Sequence, residues 1–237
     1  MQIVNQRSYL NYNIIEYDIV SSTMDVIKDF TENTVIVAQK QENSRGKAGR
    51  VWQSQNGDNL YFSLNILADK KNLDYSQLSF VSSVAMRQAI KEYDKNNNLI
   101  VSKWPNDILI NNKKTTGILL EFDYMTKILI IGIGVNINFF PDNTMFKATS
   151  LKQENIMVNR YDLLKSFLKN FNFLFKQWEQ NGFEIIRDKW LESCYKLNQE
   201  IEVNGQKGIF KDIDRDGTLI LELSNGENIF VRSGDVF

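Results

Sequence analysis

The chain is 237 residues long and 43% hydrophobic, with 28 Lys and Arg against 29 Asp and Glu, a formal net charge of −1 and a pI of about 5.7. That composition belongs to a globular chain of one large domain, or one large and one small, and excludes an intrinsically disordered one. The near-neutral charge excludes a global basic field for nucleic acid, while the lack of histidine excludes Ser-His-Asp and Cys-His triads and imidazole metal sites. The single cysteine, Cys194, excludes an intramolecular disulfide and a cysteine zinc site, and its aromatic-rich surroundings read as packing. Residues 1–7 hold no apolar core of leader length, and no run approaches the roughly 18 apolar residues of a membrane span, so the expected compartment is the cytoplasm. Chemistry in such a chain rests on positioned charges, carboxylates and lysines, with Mg²⁺ arriving on a phosphate substrate as the metal route left open.

Residues 14–17 form the first expected strand. Ser21-Ser22-Thr23-Met24-Asp25 then leads into a short helix over 26–30, with Ser22 or Thr23 suited to cap it. Strands are expected over 34–38 and 59–65. Between them lies Ser44-Arg45-Gly46-Lys47-Ala48-Gly49-Arg50-Val51-Trp52, whose glycines and cations between two apolar runs require a loop. Such a loop can bring backbone N–H groups and Arg/Lys side chains around an anion, and the same composition also suits a solvated surface loop. Leu78, Val81, Ala85 and Ala89 fall at helical spacing within 75–92, predicting an amphipathic helix. A strand over 99–103 stops at Trp104-Pro105-Asn106-Asp107. Extended structure resumes over 108–110, turns at Asn111-Asn112, where Asn tolerates positive φ, and returns over 113–122. Residues 127–134 are apolar throughout, which predicts a central strand buried on both faces.

A polar loop is expected over 141–153. Leu164, Phe167, Leu168, Phe171, Phe175 and Trp178 make one helical stripe over 161–178, read as core, with Asn181-Gly182 ending the helix and a second helix over 183–197. After Asn198 short strands are expected over 201–203, 208–210, 219–223 and 229–231. Asn204-Gly205, Asp216-Gly217 and Asn225-Gly226 supply their turns, which suggests a small SH3-like barrel. The expected architecture is a mixed α/β (α+β) domain over 1–195 followed by a small β domain over 196–237.

The informative residues are polar ones where strands ought to stay apolar. Lys103, Asn106 and Asp107 flank Trp104-Pro105, Lys114 stands just past a hairpin turn, and Gly132-Ile133-Gly134-Val135-Asn136 brings small residues and an amide to the end of a buried strand. Each alone has a bland reading: an edge-strand lysine, a Pro-Asn-Asp turn, a solvated hairpin, a strand that stops. Their joint occurrence with the 44–52 loop is what matters. Together with Ser22-Thr23 and Gln41, these segments resemble biotin–protein ligase. The most specific pieces are Lys103-Trp104-Pro105-Asn106-Asp107 and Lys114-x-x-Gly117-Ile118-Leu119, and the domain order extends the likeness to the terminal Ser233-Gly234-Asp235-Val236.

The resemblance implies a mixed-sheet ligase domain that joins the carboxylate of biotin to the α-phosphate of ATP, with Mg²⁺. The biotinoyl group then passes to a lysine of a biotin carboxyl carrier protein. It implies that Ser22, Thr23 and Gln41 bond the ureido and ring end of biotin, with Met24 supplying backbone or apolar contact. Arg45, Gly46 and Lys47 would close over biotin and the acyl-phosphate. Arg50 would meet phosphate, and Trp52 the adenine. Lys103, Asn106 and Asp107 resemble the nucleotide and Mg²⁺ side, Asp107 also being the candidate for deprotonating the acceptor amine. Lys114 would stand by the biotin carboxylate and α-phosphate, Gly117 and Gly134 would admit the ligand to backbone, and Asn136 would reach the nucleotide.

This sequence departs from the family pattern at three positions. Ser44 replaces the usual glycine before Arg45, making the loop entry less permissive. Lys47 replaces a second arginine and loses its planar fork. Met24 stands where many members carry a polar residue. Only about a dozen residues precede the first expected strand, too few for the helix-turn-helix repressor domain of some members, so a monofunctional ligase is expected, monomeric or homodimeric and without specific DNA binding. The competing readings are a lipoate or octanoate ligase of the same superfamily, a non-catalytic biotin-binding regulator, and a nucleic-acid module supported by the loop charge alone.

Overall fold

The computed structural model describes residues 1–31, 33–55, 59–142 and 144–237, so position 143 of the predicted polar loop lies outside the described residues. Twelve strands and four α-helices are described. In chain order the first part comprises β1 (Ile3–Tyr9), β2 (Tyr12–Val20), α1 (Thr23–Val26), β3 (Thr34–Gln41), β4 (Leu60–Leu67) and α2 (Leu78–Lys91). There follow β5 (Ile100–Lys103), β6 (Asp107–Ile110), β7 (Lys113–Asp123), β8 (Ile128–Val135), α3 (Arg160–Asn181) and α4 (Glu184–Leu191). The first eight strands form one mixed sheet in the order β1-β2-β3-β4-β8-β7-β6-β5, in which β2 and β3 run parallel and the other neighbours antiparallel.

The two faces of this sheet differ because side chains alternate along each strand. Val35 and Val37, Phe62 and Leu64, and Ile131, Ile133 and Val135 join the large core built with α2, α3 and α4. Ile36 and Ala38, with Ile130, face the other way and pack against Met24 and Ile27 of the short helical segment. The predicted stripe on α3 is buried through Leu164, Phe167, Leu168, Phe171 and Trp178, with Phe167 set edge-on to Phe62 at 5.2 Å between ring centroids. Asn159 caps that helix by accepting from the N–H groups of Tyr161 and Asp162, and Gly182 at φ 80° ends it. Asn111 and Asn112 take φ of 49° and 62°, the left-handed pair a tight hairpin requires. β8 lies between β4 and β7, as its apolar run predicts.

Two expectations need correction. A strand, β1, precedes the one expected first. Its residues are mostly exposed on both sides, so IVNQRSY carries no burial pattern to betray it. The second helix ends at Leu191 instead of 197. The N–H of Ser102 bonds to Ser193 O and the N–H of Tyr195 to Ser102 O, both at 2.8 Å, so this backbone covers the edge of β5 instead of continuing a helix.

The last part is an antiparallel meander of β9 (Glu200–Val203), β10 (Gln206–Ile213), β11 (Leu219–Glu222) and β12 (Asn228–Val231). After β12 the chain returns to β9, where Phe237 N donates to Glu202 O at 3.0 Å, bringing the two ends of the meander together. Its core residues Phe210, Leu219 and Leu221 are continuous with the large core, and the indole N–H of Trp104 donates to Gly217 O at 2.9 Å. Among the described residues no helix is long and apolar enough to cross a membrane.

Candidate active site

On the sheet face opposite α2 and α3, the cross-strand pair Gly117 and Gly134 removes two side chains from the middle of the sheet. The indole of Trp52 fills part of that space. A Cβ at Gly134 would come 2.5 Å from Trp52 Cε2, and one at Gly117 would come 2.6 Å from Cζ3, so neither position has room for one while the ring lies there. Beside them Gly132 makes way for the Met24 thioether. The result is a cavity of about 330 Å³ whose floor is backbone and whose roof is the 44–52 loop. Every residue predicted for the site lines it except Lys103.

At one end Ser22 caps α1, its Oγ accepting from Met24 N. Thr23 Oγ1 lies 2.8 Å from Ser63 Oγ, and Gln41 Oε1 accepts from the Thr23 N–H at 2.8 Å and its hydroxyl at 3.1 Å. That assigns the Gln41 carbonyl to Thr23 and leaves the amide nitrogen as its donor for a ligand. With Met24 buried alongside, this end is an apolar recess with a few hydrogen-bonding groups.

The loop itself is a closed hairpin. Arg45 bridges Val51, Gly46 N donates to Arg50 O at 2.7 Å, and Ala48 and Gly49 turn the chain at φ of 56° and 73°. Ser44, the departure from the family glycine, is buried, and its hydroxyl donates to Trp52 O, tying the two ends of the loop together. Arg45 donates from Nη1 to both oxygens of Asp25 at 2.8 and 2.9 Å, and from Nε and Nη2 to Glu121 at 3.0 and 3.2 Å. Lys47 Nζ donates to Gly234 O at 2.9 Å, and burial holds its pKa below the ordinary lysine value despite Asp235 nearby. Arg50 meets Asp235 through two bonds of 3.0 Å.

At the other end Lys114 Nζ stands 2.7 Å from Asp107 Oδ1. The two charges form a partly buried ion pair at hydrogen-bonding distance. Asn106 is stitched to β7, its Nδ2 donating to Ile118 O while its main-chain carbonyl accepts the Ile118 N–H. Asn136 Nδ2 donates to Thr149 O, fixing the segment that pairs with Lys114 and walls the cavity. Lys103 stands outside the lining, its ammonium 3.3 Å from the ring centroid of Phe146, which does line it. Burial lowers the Lys103 pKa to about 8, opposed by the charges of Asp107 and Asp235.

Sequence reasoning missed Asp25, Glu121, Asp235 and Phe146. Asp25, in the first turn of α1, carried a local signal as an acidic helix start. Asp235 lies in the terminal Ser233-Gly234-Asp235-Val236 that marked only the domain order, and Glu121 and Phe146 carry no signal, since each meets its partner only through the fold.

This arrangement, an apolar recess joined to a cationic end beneath a glycine-rich loop, has close counterparts. Residues 17–138 match the Biotin/lipoate A/B protein ligase family, and residues 196–237 match the Biotin protein ligase C terminal domain. The bifunctional ligase/repressor BirA of Bacillus subtilis is 33% identical over 234 residues, covering 92% of this chain and 71% of that protein. The biotin–[acetyl-CoA-carboxylase] ligase of Paracoccus denitrificans is 29% identical over 215 residues, covering 85% and 89%. Among solved structures, the biotin protein ligase of Aquifex aeolicus in complex with biotin and ATP superposes with a TM-score of 0.83 at 27% identity, over 94% of this chain and 97% of that one. The matched span 17–138 holds most of the residues that line the cavity, and the chain belongs to the biotin/lipoate A/B protein ligase family.

Proposed function

We propose that this chain is a cytoplasmic, ATP-dependent biotin–protein ligase, with a catalytic unit over 1–195 and a small β unit over 196–237. It joins biotin to AMP and transfers the biotinoyl group to a lysine of a biotin carboxyl carrier protein. One observation carries the reading: a single cavity joins an apolar recess at Thr23, Met24 and Gln41 to a cationic end at Lys47, Arg50 and Lys114. That polarity suits an acid with an apolar, hydrogen-bonding ring whose carboxylate must meet a phosphate.

In the first step a carboxylate oxygen of biotin attacks the α-phosphorus, the bond to the β-phosphate oxygen breaks, and pyrophosphate leaves. Lys114 and Lys47 stabilise negative charge on the α-phosphate and carboxylate, Arg50 meets phosphate, and Trp52 forms the wall for adenine. Gln41 and Thr23 bond the ring end, and the Gly117–Gly134 pair, instead of admitting the ligand to backbone, makes room on the sheet for the Trp52 ring that walls the ligand. In the second step the carrier amine attacks the acyl carbon, the bond to the phosphate oxygen breaks, and AMP leaves. The amine's proton goes to Asp107 or to water. The 44–52 loop, closed over the site, keeps water from the mixed anhydride. A divalent cation carried in on the triphosphate would meet the Asp107 carboxylate, a hard oxygen donor now paired with Lys114, and would neutralise phosphate charge there. Among the described residues no cluster of three or more His, Cys, Asp or Glu could hold such an ion alone.

Biotin-dependent ATP–pyrophosphate exchange, run beside lipoate and octanoate, tests the assignment. Exchange with biotin only is expected. Exchange with lipoate instead would move the chain to the sister activity, and biotin binding without exchange would make it a regulator.

A further inference from the structure

The 44–52 loop is fastened from two sides, and the second fastening comes from a residue that does not line the cavity. Asp235 lies about 185 residues further along the chain, yet its two carboxylate oxygens each accept from a different terminal nitrogen of Arg50 at 3.0 Å. Arg50 Nε is meanwhile taken by Lys47 O at 3.0 Å, and Lys47 Nζ by the carbonyl of Gly234, next to Asp235. A guanidinium has five N–H groups. Three are taken by Lys47 and Asp235, the second N–H of Nη1 faces only Met145 Sδ in a weak contact at 4.0 Å, and the second N–H of Nη2 has no partner among the described residues, in a side chain that does line the cavity. A bidentate carboxylate fixes both the position and the plane of the group it holds.

We propose that Asp235 is a positioning residue for the ligase reaction: by gripping Arg50 it holds the loop closed and sets the outer N–H groups of its guanidinium toward the nucleotide phosphates. The inference rests on the ligase reading for what Arg50 contacts, but not for the closure itself. The charge balance agrees with the geometry. Burial acts to raise the Asp235 pKa, but the hydrogen bond and charge of Arg50, with the charges of Lys47 and Lys103, hold it below the ordinary carboxylate range, so the pair is ionic at neutral pH.

The closure is read without any ligand, through tryptic cleavage after Arg45, Lys47 and Arg50 in the folded protein. Asp235→Asn is expected to cut at this loop about fivefold to tenfold faster than native, the scale suited to a partly exposed bidentate pair. Asp235→Glu is expected to recover most of the protection. Glu222→Gln, which removes an exposed ion pair to Lys211 on the same small sheet, serves as the control and is expected to cleave like native. Thermal unfolding of all three separates a loosened loop from a damaged fold. In pyrophosphate exchange Asp235→Asn is expected to raise KM for ATP about fivefold to tenfold while leaving KM for biotin within twofold, with Asp235→Glu between it and native. Loop cleavage of Asp235→Asn no faster than in the control would overturn the proposal, as would an unchanged KM for ATP. Lack of exchange in the native protein would count against the ligase reading alone, and the cleavage rates would still decide whether Asp235 holds the loop.

Discussion

Gly134→Ala tests whether the glycine floor exists to seat Trp52. The new methyl would lie 2.5 Å from Cε2, 2.6 Å from Nε1 and 2.9 Å from Cζ2 of the indole, against the roughly 3.5 Å at which carbon atoms rest. The ring must therefore withdraw by about 1 Å, and the sheet behind the glycine leaves only the cavity side. Overpacking of this kind costs about 1–3 kcal/mol. Replacing a strand glycine returns up to about 1 kcal/mol of chain entropy. A net loss of about 1–2 kcal/mol in a chain of this size lowers Tm by roughly 2–8 °C. Because the ring moves into the volume assigned to the nucleotide, KM for ATP rises as well, while KM for biotin holds. The assay is a double-mutant cycle with Trp52→Phe, followed by thermal melting and exchange kinetics. Phe lacks the indole atoms that approach Gly134 most closely, so the cost of the methyl should largely vanish in that background. An equal loss of Tm with either ring at position 52 would refute the seating argument.

The remaining predictions concern the loop and the buried lysine. Lys47→Arg gains a planar fork where lysine offers a point charge, so release of the acyl-adenylate is expected to slow several-fold in a trapping assay; an unchanged or faster release would refute this. Ser44→Ala removes the hydroxyl that donates to Trp52 O and costs about 1 kcal/mol, visible as faster amide exchange over 44–52 with little change in the core helices. For Lys103 the sign follows from a folded pKa of about 8, below the roughly 10.4 of an unfolded lysine. Below pH 8 both states hold the proton and the burial penalty is full, about 3 kcal/mol. Between pH 8 and about 10.4 the unfolded state binds more protons, so this group makes stability rise with pH. Activity that needs the ammonium falls over the same range. Lys103→Arg is therefore expected to move the alkaline limb of the ATP-dependent rate upward, and a limb that stays in place would show that another group titrates.

What could be read from the sequence was what neighbouring residues decide among themselves. The Asn111-Asn112 turn, the α3 stripe and the Ser22 cap are local matters of φ, periodicity and a single side-chain bond, and each appears as read. The small residues of Gly132-Ile133-Gly134 signalled a place where a side chain could not fit, although not that an indole from residue 52 would lie against it. The strand β1 was illegible because an edge strand exposed on both faces has no alternation to display. The early end of α4 was illegible because a strand some ninety residues earlier competes for the same backbone groups. Motif reading assigned Arg45 and Arg50 to ligands from type and position. It could not see that Asp25, Glu121 and Asp235 would engage them, since such partners are chosen by the completed fold.

Those partners also explain how a chain with a net charge of −1 can serve a reaction between anions. Around Arg45 the charges cancel: Arg45 and Lys28 face Asp25 and Glu121. That cluster anchors the loop. On the side proposed for the nucleotide Lys47, Arg50, Lys103 and Lys114 face Asp107 and Asp235, four cations against two carboxylates. Two net positive charges thus remain in a partly buried space where screening is weak. In the proposed reaction this field draws in a triphosphate and stabilises the charge that develops at the α-phosphate. It acts on the second step too, because a positive surrounding lowers the pKa of an incoming lysine and raises the fraction of neutral amine that can attack. One arrangement of lysines and arginines can therefore assist both half-reactions, and neither requires the imidazole that this sequence lacks.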